Sequence, residues 1–507
     1  MGETMEIKNS GRTHKAITNI FYNILNQMVM LFLSFISRSV FIWGFGIEYL
    51  GINGLFADIL NLLSLADLGF NTAMTYSFYK PLAEKDYEKI AGLVNFYKKV
   101  YYLIALGIAI IGIALIPFLP RLINVEYEIP HLTIYYLLSL STVVASYLCI
   151  YKTTILMADQ KGYLVTKVAI YTNFIKTILQ IISIIVWKNY IIFLSVGTII
   201  TIGNNVYASR IADKTYQFIN KKSTISNYEK KHIFNNLGSV FLYKVSAMLL
   251  NATDNILISI LISTAMVGYY SNYLLLQTKI VAIISLVFTS MTASIGNLIV
   301  TENSEKRFKV FKCEQSISCF ICGIVVPCYI LLADDFIRIW LGSEYQLGFA
   351  MSCAVGLNMY LSCVMQPLWS YREATGLYRK TKWIMVICAM INIGLSIILG
   401  KTIGVIGIIL ASAIARIVTY VWYEPQILFR EYFANSEKGY YVQLIKNIFL
   451  IIVLVVLGKQ FEKVFFVSGY GTWILKASVL GAGFVLVTYL FYRNSEGVNY
   501  IRKKIKR

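Results

Sequence analysis

The chain has 507 residues, of which 57% are apolar and only 14% are charged. Its mean hydropathy is +0.65, whereas a soluble protein carries about 25% charged residues. The net charge of +20 would indicate nucleic acid binding in a soluble chain, but in an apolar chain it reflects orientation in a membrane. The composition therefore excludes a soluble globular fold. It predicts a polytopic, all-α membrane protein that binds no nucleic acid.

A helix that crosses the hydrocarbon core needs about 20 apolar residues, and charged clusters divide this chain into about fourteen such runs. The predicted transmembrane spans are 17–43, 50–79, 96–119, 131–151, 163–187, 189–209, 233–258, 265–299, 313–333, 347–370, 383–400, 402–423, 444–459 and 472–492. Two of the divisions, at Lys188-Asn189 and at Lys401, rest on very short connections.

Lys and Arg concentrate in every second loop and at both ends of the chain, most densely in the segments 210–231 and 493–507. Basic residues mark the cytoplasmic side of a membrane protein, and an even number of spans places both termini on one side. The pattern therefore predicts a multi-pass protein of the bacterial cytoplasmic membrane with both termini in the cytoplasm.

Short sequence matches recur at an offset of about 217 residues, which indicates an internal repeat. Tyr49-Leu50-Gly51 corresponds to Met266-Val267-Gly268, and the loop ending at Gly162 corresponds to the loop ending at Gly376. Charged loops at 82–86 and 302–306 follow the second and eighth spans. The predicted divisions are a cytoplasmic tail at 1–16, an N-lobe of six spans at 17–209, a cytoplasmic linker at 210–232, a C-lobe of six spans at 233–430, two further spans within 431–492 and a basic cytoplasmic tail at 493–507.

With these features the chain resembles a bacterial polysaccharide flippase of the multidrug/oligosaccharidyl-lipid/polysaccharide exporter superfamily. The resemblance is carried by Tyr49-Leu50-Gly51-Ile52-Asn53-Gly54-Leu55, by Leu65-Ala66-Asp67-Leu68-Gly69-Phe70, and by the two six-span lobes with an additional pair of spans. It implies alternating-access movement of undecaprenyl-diphosphate-linked oligosaccharide from the cytoplasmic to the outer leaflet, for capsule, O-antigen or a similar polysaccharide. The implied partners are the lipid bilayer, that lipid-linked oligosaccharide and a polysaccharide polymerase.

Ionisable residues in the middle of spans cost about 2.5–3.5 kcal/mol each on insertion scales, so each one needs a reason. The bases are Arg38, Lys176, Lys244, Lys279 and Arg416, and the acids are Asp58, Asp67 and Asp254. Helical spacing places several of them on polar stripes, in which Arg38 lies with Gln27, Lys244 with Asn251, and Lys279 with Asn272. Lys176 shares a stripe with Thr172 and Gln180, and Arg416 shares one with Ser412 and Tyr420. We therefore predict a hydrated, net-basic cavity between the lobes, in which the five bases bind a diphosphate.

In this interpretation Asp67, Asp254, Gln27, Asn251 and Asn272 support the bases or couple transport to an ion, and Asp58 orients a base. The alternative is that the bases form ion pairs between helices, for example Lys244 or Lys279 with Asp67 or Asp254. Tyr269, Tyr270 and Tyr273 are candidates for stacking on sugars.

Three other functions are alternatives to the oligosaccharide flippase. A cation-coupled multidrug exporter of the same fold would be expected to have an acidic cavity, against the basic excess found here. A flippase for teichoic acid or the peptidoglycan precursor would share the diphosphate chemistry. A membrane enzyme would need a large loop or a catalytic domain, and no such segment is predicted, so the sequence predicts no catalytic residue, cofactor or metal. The eight cysteines lie almost entirely inside apolar runs, as small hydrophobic residues do.

Overall fold

A computed structural model describes residues 2–64, 70–125 and 128–505 of the chain. Every regular element within those ranges is helical, because a helix satisfies its own backbone polar groups inside a membrane. In chain order the helices are α1 (Gly2–Leu63), α2 (Phe70–Glu84), α3 (Tyr87–Ala114), α4 (Leu119–Leu122), α5 (Leu132–Ala158), α6 (Gly162–Trp187), α7 (Tyr190–Thr215), α8 (Asn227–Leu261), α9 (Thr264–Thr301), α10 (Ser304–Leu341), α11 (Phe349–Val364), α12 (Gln366–Thr375), α13 (Tyr378–Ile403), α14 (Val405–Val418), α15 (Tyr420–Leu428), α16 (Lys438–Glu462), α17 (Tyr470–Tyr492) and α18 (Glu496–Ile505).

The described part of the chain contains 12 helices long and apolar enough to cross a membrane, and the pair α11 and α12, bent by 42°, makes a thirteenth. The first of them, Phe21–Leu63, has 43 residues and is about 65 Å long at 1.5 Å per residue, roughly twice the hydrocarbon thickness. It breaks at Gly46, where φ is 84°, between the predicted first and second spans. With the first helix counted as two spans and the bent pair as one, the described helices agree with about fourteen spans. They confirm the predicted fold class.

Both short connections are present, and each one turns at a residue with positive φ. Lys188 has φ of 46°, and the Asn189 side chain then caps α7 by accepting from the backbone N–H groups of Ile191 and Ile192. The second break lies at Gly404, where φ is 72°, and not at Lys401, which belongs to α13. Glycine adopts this conformation without a steric penalty, so the turn forms where a glycine is available.

The chain forms two compact units, Met1–Ala265 and Met266–Arg507. In the first unit α5 packs against α3 and α7, and α6 packs against α1 and α7. In the second unit α10 is the central helix, since α11, α16, α17 and α18 all pack against it. The predicted lobe boundaries remain a prediction.

The internal repeat is visible in how corresponding helices begin. Asp86 caps α3 by accepting from the Lys89 N–H at 3.0 Å, and Asn303 caps α10 by accepting from the Lys306 N–H at 3.0 Å. These two caps are 217 residues apart, as are the first residues of α5 and α11, Leu132 and Phe349. The charged loops therefore align at this offset, three residues away from the alignment that their sequences alone suggest.

Candidate functional site

In the first unit three predicted bases lie on three helices, Arg38 on α1, Lys176 on α6 and Lys244 on α8, and all three are half-buried. Helices α6 and α8 both pack against α1. Lys176 has no carboxylate within 4.0 Å among the described residues of its own unit. Its charge is therefore not neutralised by a direct ion pair there.

The polar stripe that contains Lys176 faces the neighbouring helix at two positions. The Thr172 hydroxyl donates to Asn204 Oδ1 on α7 at 2.7 Å, and Gln180 Nε2 donates to the Phe193 carbonyl at 3.2 Å. Lys176 lies one turn from each of these residues, on the same face of α6. The predicted stripe thus also holds α6 against α7, which the helical periodicity did not indicate.

The sequence suggests that Asp58 orients a base, but its partner among the described residues is an amide. Its carboxylate accepts a hydrogen bond from Asn255 Nδ2 on α8 at 2.5 Å, and it forms no ion pair among the described residues. Asp254, the neighbour of Asn255, is 9% exposed on the same helix. The acid is paired with an amide because the second half of α1 packs against α8.

In the second unit the two predicted bases have different surroundings. Lys279 on α9 is half-buried and has no carboxylate within 4.0 Å among the described residues of that unit. Arg416 on α14 is 8% exposed, and its Nη1 donates to the Ser362 hydroxyl on α11 at 3.1 Å. Arg416 therefore also links two helices within its own unit.

The predicted stripe of Ser412, Arg416 and Tyr420 is interrupted by a break in the helix. Thr419, with φ of −122° and ψ of −100°, separates α14 from α15. Ser412 accepts a hydrogen bond from Asn392 on α13 at 2.8 Å, and Tyr420 is buried. This stripe serves packing within the second unit.

Two of the four remaining predicted site residues, Gln27 and Asn272, have described side chains. Gln27 is half-buried on α1, and Asn272 is fully buried on α9. Asp67 and the side chain of Asn251 lie outside the described residues. The five bases are thus distributed as three in the first unit and two in the second.

Tyr273 does not fit the predicted role in sugar stacking. Its side chain is fully buried, its hydroxyl donates to Asp334, and the same hydroxyl accepts from the Leu347 N–H at 2.7 Å. Tyr269 instead packs against the ring of Tyr345, with the ring centroids 5.7 Å apart.

Sequence reasoning did not find two ion pairs that join helix ends. In the second unit Arg372 Nη1 donates to both carboxylate oxygens of Glu424, at 2.9 and 3.2 Å, and the two side chains are 10% and 4% exposed. In the first unit Lys152 donates to Asp213 at 2.7 Å, with 19% and 27% exposure. These residues lie at the predicted ends of spans, where charge is common and indicates no particular partner.

A larger charged cluster fixes α17 to the rest of the second unit. Lys476, only 1% exposed, donates to Asp335 and Glu462, each at 2.7 Å, and to the Leu331 carbonyl at 3.1 Å. Arg338 also contacts Asp335, at 3.0 Å. The two last spans are therefore bound to α10 by buried charge as well as by apolar packing.

The described part of the chain folds into membrane-spanning helices, and charged side chains lie inside these spans. This combination is typical of transporters. The sequence matches the family described as polysaccharide biosynthesis protein over residues 49–348, more than half of the chain. The chain belongs to this family, which confirms the predicted relation to bacterial polysaccharide biosynthesis.

The fold is similar to that of several solved transporters. The lipid II flippase MurJ in an inward closed conformation has a TM-score of 0.65 at 17% identity, over 94% of this chain and 98% of MurJ. The Vibrio cholerae MATE transporter VcmN has a TM-score of 0.56 at 12% identity, over 84% of this chain and 99% of that one. An inward-facing multidrug resistance MATE family transporter has a TM-score of 0.55 at 15% identity, over 80% and 98%. Curated protein sequences gave no match. At these identities the likeness establishes the fold and leaves the substrate open.

Proposed function

We propose that the protein flips undecaprenyl-diphosphate-linked oligosaccharide units across the cytoplasmic membrane by alternating access, for capsule, O-antigen or a similar polysaccharide. The observation that carries the proposal is the presence of Lys176 and Lys279 inside spans of the two units, each without a carboxylate within 4.0 Å among the described residues of its own unit. An uncompensated ammonium inside a span is costly, and a bound diphosphate would remove that cost. The family description supports a role in polysaccharide synthesis.

In this proposal Arg38, Lys244 and Arg416 complete the basic set, and Asp67, Asp254, Gln27, Asn251 and Asn272 support it or couple transport to an ion. Both termini are cytoplasmic, and the flipped unit passes to a polysaccharide polymerase. A cationic drug would be repelled by the same bases, which disfavours a multidrug exporter. A teichoic acid or peptidoglycan precursor carries the same diphosphate, so the sugar decides between these substrates.

The proposal is tested by changing charge at constant side-chain length. Lys279→Gln and Lys176→Gln should abolish glycan export at normal protein abundance, and Lys279→Arg should retain part of it because a positive charge remains. Lys309→Gln, at an exposed lysine ahead of the apolar part of α10, is the matched control and should export normally. Full export by both glutamine variants would contradict the proposed site.

The proposed orientation is tested separately by labelling. A cysteine placed at Lys221 should react with a membrane-impermeant reagent only from the cytoplasm, and a cysteine at Glu344 only from outside. The opposite pattern would reverse the topology and place the basic loops on the outer face.

A further inference from the structure

The second half of α1, beyond its kink, has an exposed side that the proposed diphosphate site does not use. Asn53, Ala57 and Asn61 are exposed along this side, and Gly54 and Asp58 between them are half-buried. These five residues form the open face of α1. They recur at intervals of three and four, and Asn53 and Asn61 are about 12 Å apart along the helix axis.

The opposite side of the same helix is apolar and buried. Ile52, Leu55, Phe56, Ile59 and Leu60 are at most 4% exposed. A surface in contact with lipid carries large apolar side chains, as the exposed surface of α17 does. The open face of α1 carries two amides and a carboxylate beside two small residues. Polar side chains inside a span face other protein groups or a water-filled cavity. Because this face is exposed, we conclude that it borders water.

The open face reaches well into the membrane. Asn61 follows Gly46, where α1 is kinked between its two spans, by about 22 Å along the axis. It therefore lies inside a hydrocarbon layer of about 30 Å. An exposed amide at this depth would be unfavourable in contact with lipid. Water or a polar ligand removes that cost.

The polar groups of the open face are available to a ligand. The Asn61 side chain forms no hydrogen bond with a described residue. The partner of Asn53 is the Tyr190 hydroxyl, 3.5 Å from Asn53 Oδ1, which is a long hydrogen bond. One oxygen of Asp58 accepts from Asn255, and the other accepts no hydrogen bond from a described residue. Amides donate and accept, so they match hydroxyl groups, which also do both.

An aromatic ring lies at one end of the open face. Tyr49, one turn before Asn53, is half-buried. The rings of Phe45, Tyr135 and Tyr190 surround it, with centroids 6.0, 6.1 and 5.0 Å from that of Tyr49. These contacts fix the orientation of the ring and leave part of it exposed. Sugars have apolar C–H faces and hydroxyl groups at their edges, so a fixed ring beside free amides suits them.

The second unit shows that helix packing does not require polar residues at these positions. At the 217-residue offset Asn53 corresponds to Tyr270, which is 5% exposed, and Asp58 corresponds to Leu275. A buried aromatic residue and an apolar residue thus occupy the same places on α9. The amide and the acid of α1 are therefore explained by a ligand better than by the fold.

We infer that the open face of α1, together with the Tyr49 ring, is a carbohydrate-binding site that contacts the sugar rings of the transported unit. The diphosphate is not its occupant, because the face carries an acid and no base. The family description, polysaccharide biosynthesis protein, fits a sugar ligand. The inference rests on the proposed function for the identity of the transported unit.

The first test needs no substrate. Asn53→Cys, Ala57→Cys and Asn61→Cys should each react with a membrane-impermeant thiol reagent, above the labelling of the wild type, in membranes open to the reagent on both sides. Leu486→Cys on α17, at an exposed apolar position, is the matched control and should not react. Labelling of Asn61→Cys no higher than that of Leu486→Cys would overturn the site, because the face would then contact lipid.

The second test compares binding of two lipids to the purified protein. The probes are undecaprenyl diphosphate and the same lipid carrying the oligosaccharide, isolated from the cells that produce the protein. The wild type should bind the glycosylated lipid more tightly. Asn53→Ala and Asn61→Ala should each weaken that binding about 2- to 10-fold, as expected for one neutral hydrogen bond, and leave binding of the bare lipid unchanged. Asn499→Ala, at an exposed amide on α18, is the matched control and should change neither.

The ring is tested in the same assay. Tyr49→Phe keeps the ring and should bind the glycosylated lipid nearly as the wild type does, whereas Tyr49→Leu should bind it more weakly. An equal loss for both lipids in the asparagine variants, or no loss in either variant, would overturn the sugar site.

Failure of the wild type to bind either lipid would count against the proposed function. The oligosaccharide released from its lipid then decides the sugar site alone. Binding of this free oligosaccharide to the wild type, weakened in Asn61→Ala, would support the site, and absence of binding would overturn it.

Discussion

Helices α3 and α10 occupy corresponding places in the two repeats but have different surroundings. Both begin at a side-chain cap, Asp86 or Asn303, 217 residues apart. In the most apolar stretch of the segment Tyr87–Leu122, which begins with α3, 22% of residues are buried, against 67% in the most apolar stretch of α10. The difference arises because three whole helices, α16, α17 and α18, pack against α10, whereas α3 packs against α2, α5 and the short turn Gln217–Asn220. The added helices convert a peripheral helix into the centre of a unit.

This burial changes which charges a unit can hold. The pair Lys152–Asp213 in the first unit remains 19% and 27% exposed, whereas Arg372–Glu424 in the second is 10% and 4% exposed. Partly exposed pairs contribute little, but a buried charge that loses its partner is strongly destabilising. The second unit therefore depends on its ion pairs more than the first does.

The largest effect should come from breaking the buried pair on one side. Arg372→Gln leaves Glu424 buried without its base and should lower the free energy of unfolding by about 3–5 kcal/mol, measured as abundance and thermal stability in detergent. Lys152→Gln, the matched change in the first unit, should cost about 0.2–1 kcal/mol. Adding Glu424→Gln to Arg372→Gln should restore most of the loss. Equal effects of the two single substitutions would show that the units do not differ in this way.

A smaller loss is expected at the charged cluster of α17. Lys476→Met removes a buried base, but Asp335 keeps Arg338 and Glu462 keeps Lys459 as partners. The loss should be about 1.5–3 kcal/mol, the contribution of a hydrogen bond to a charged group, by the same thermal assay. A loss as large as that of Arg372→Gln would mean that the remaining partners do not compensate.

The helix caps provide a test of the repeat itself. Asp86→Ala and Asn303→Ala each remove one side-chain acceptor at a helix start and should each cost about 1 kcal/mol. Similar losses in the two variants would support the 217-residue correspondence. A loss at only one of the two positions would contradict it.

The smallest effect concerns pH at an exposed pair of the first unit. Lys89 lies 2.5 Å from Glu229 and lowers the pKa of that carboxyl. The resulting stabilisation is fully present above the unfolded pKa of about 4.3 and is lost as the pH falls through the lower, folded pKa. Because both groups are about one-third exposed, Glu229→Gln should remove only about 0.2–1 kcal/mol at pH 7. A wild-type melting temperature that falls no further than that of the variant on acidification would contradict this account.

Much of the architecture was predictable because it depends on local chemistry. Span lengths follow from apolar runs, the turn at Lys188 follows from a charged residue before a capping Asn189, and the repeat follows from motifs such as Tyr49-Leu50-Gly51. Each of these signals lies within a few residues of the feature it predicts. The break at Gly404 was misplaced by three residues for the same reason, since Lys401 and Gly404 are both local turn signals.

Only the tertiary structure decided which polar groups meet. Asp58 contacts an amide 197 residues away, Arg372 contacts an acid 52 residues away, and Lys476 contacts one 141 residues away. Helical periodicity assigns each side chain to a face, but it does not say which helix that face touches.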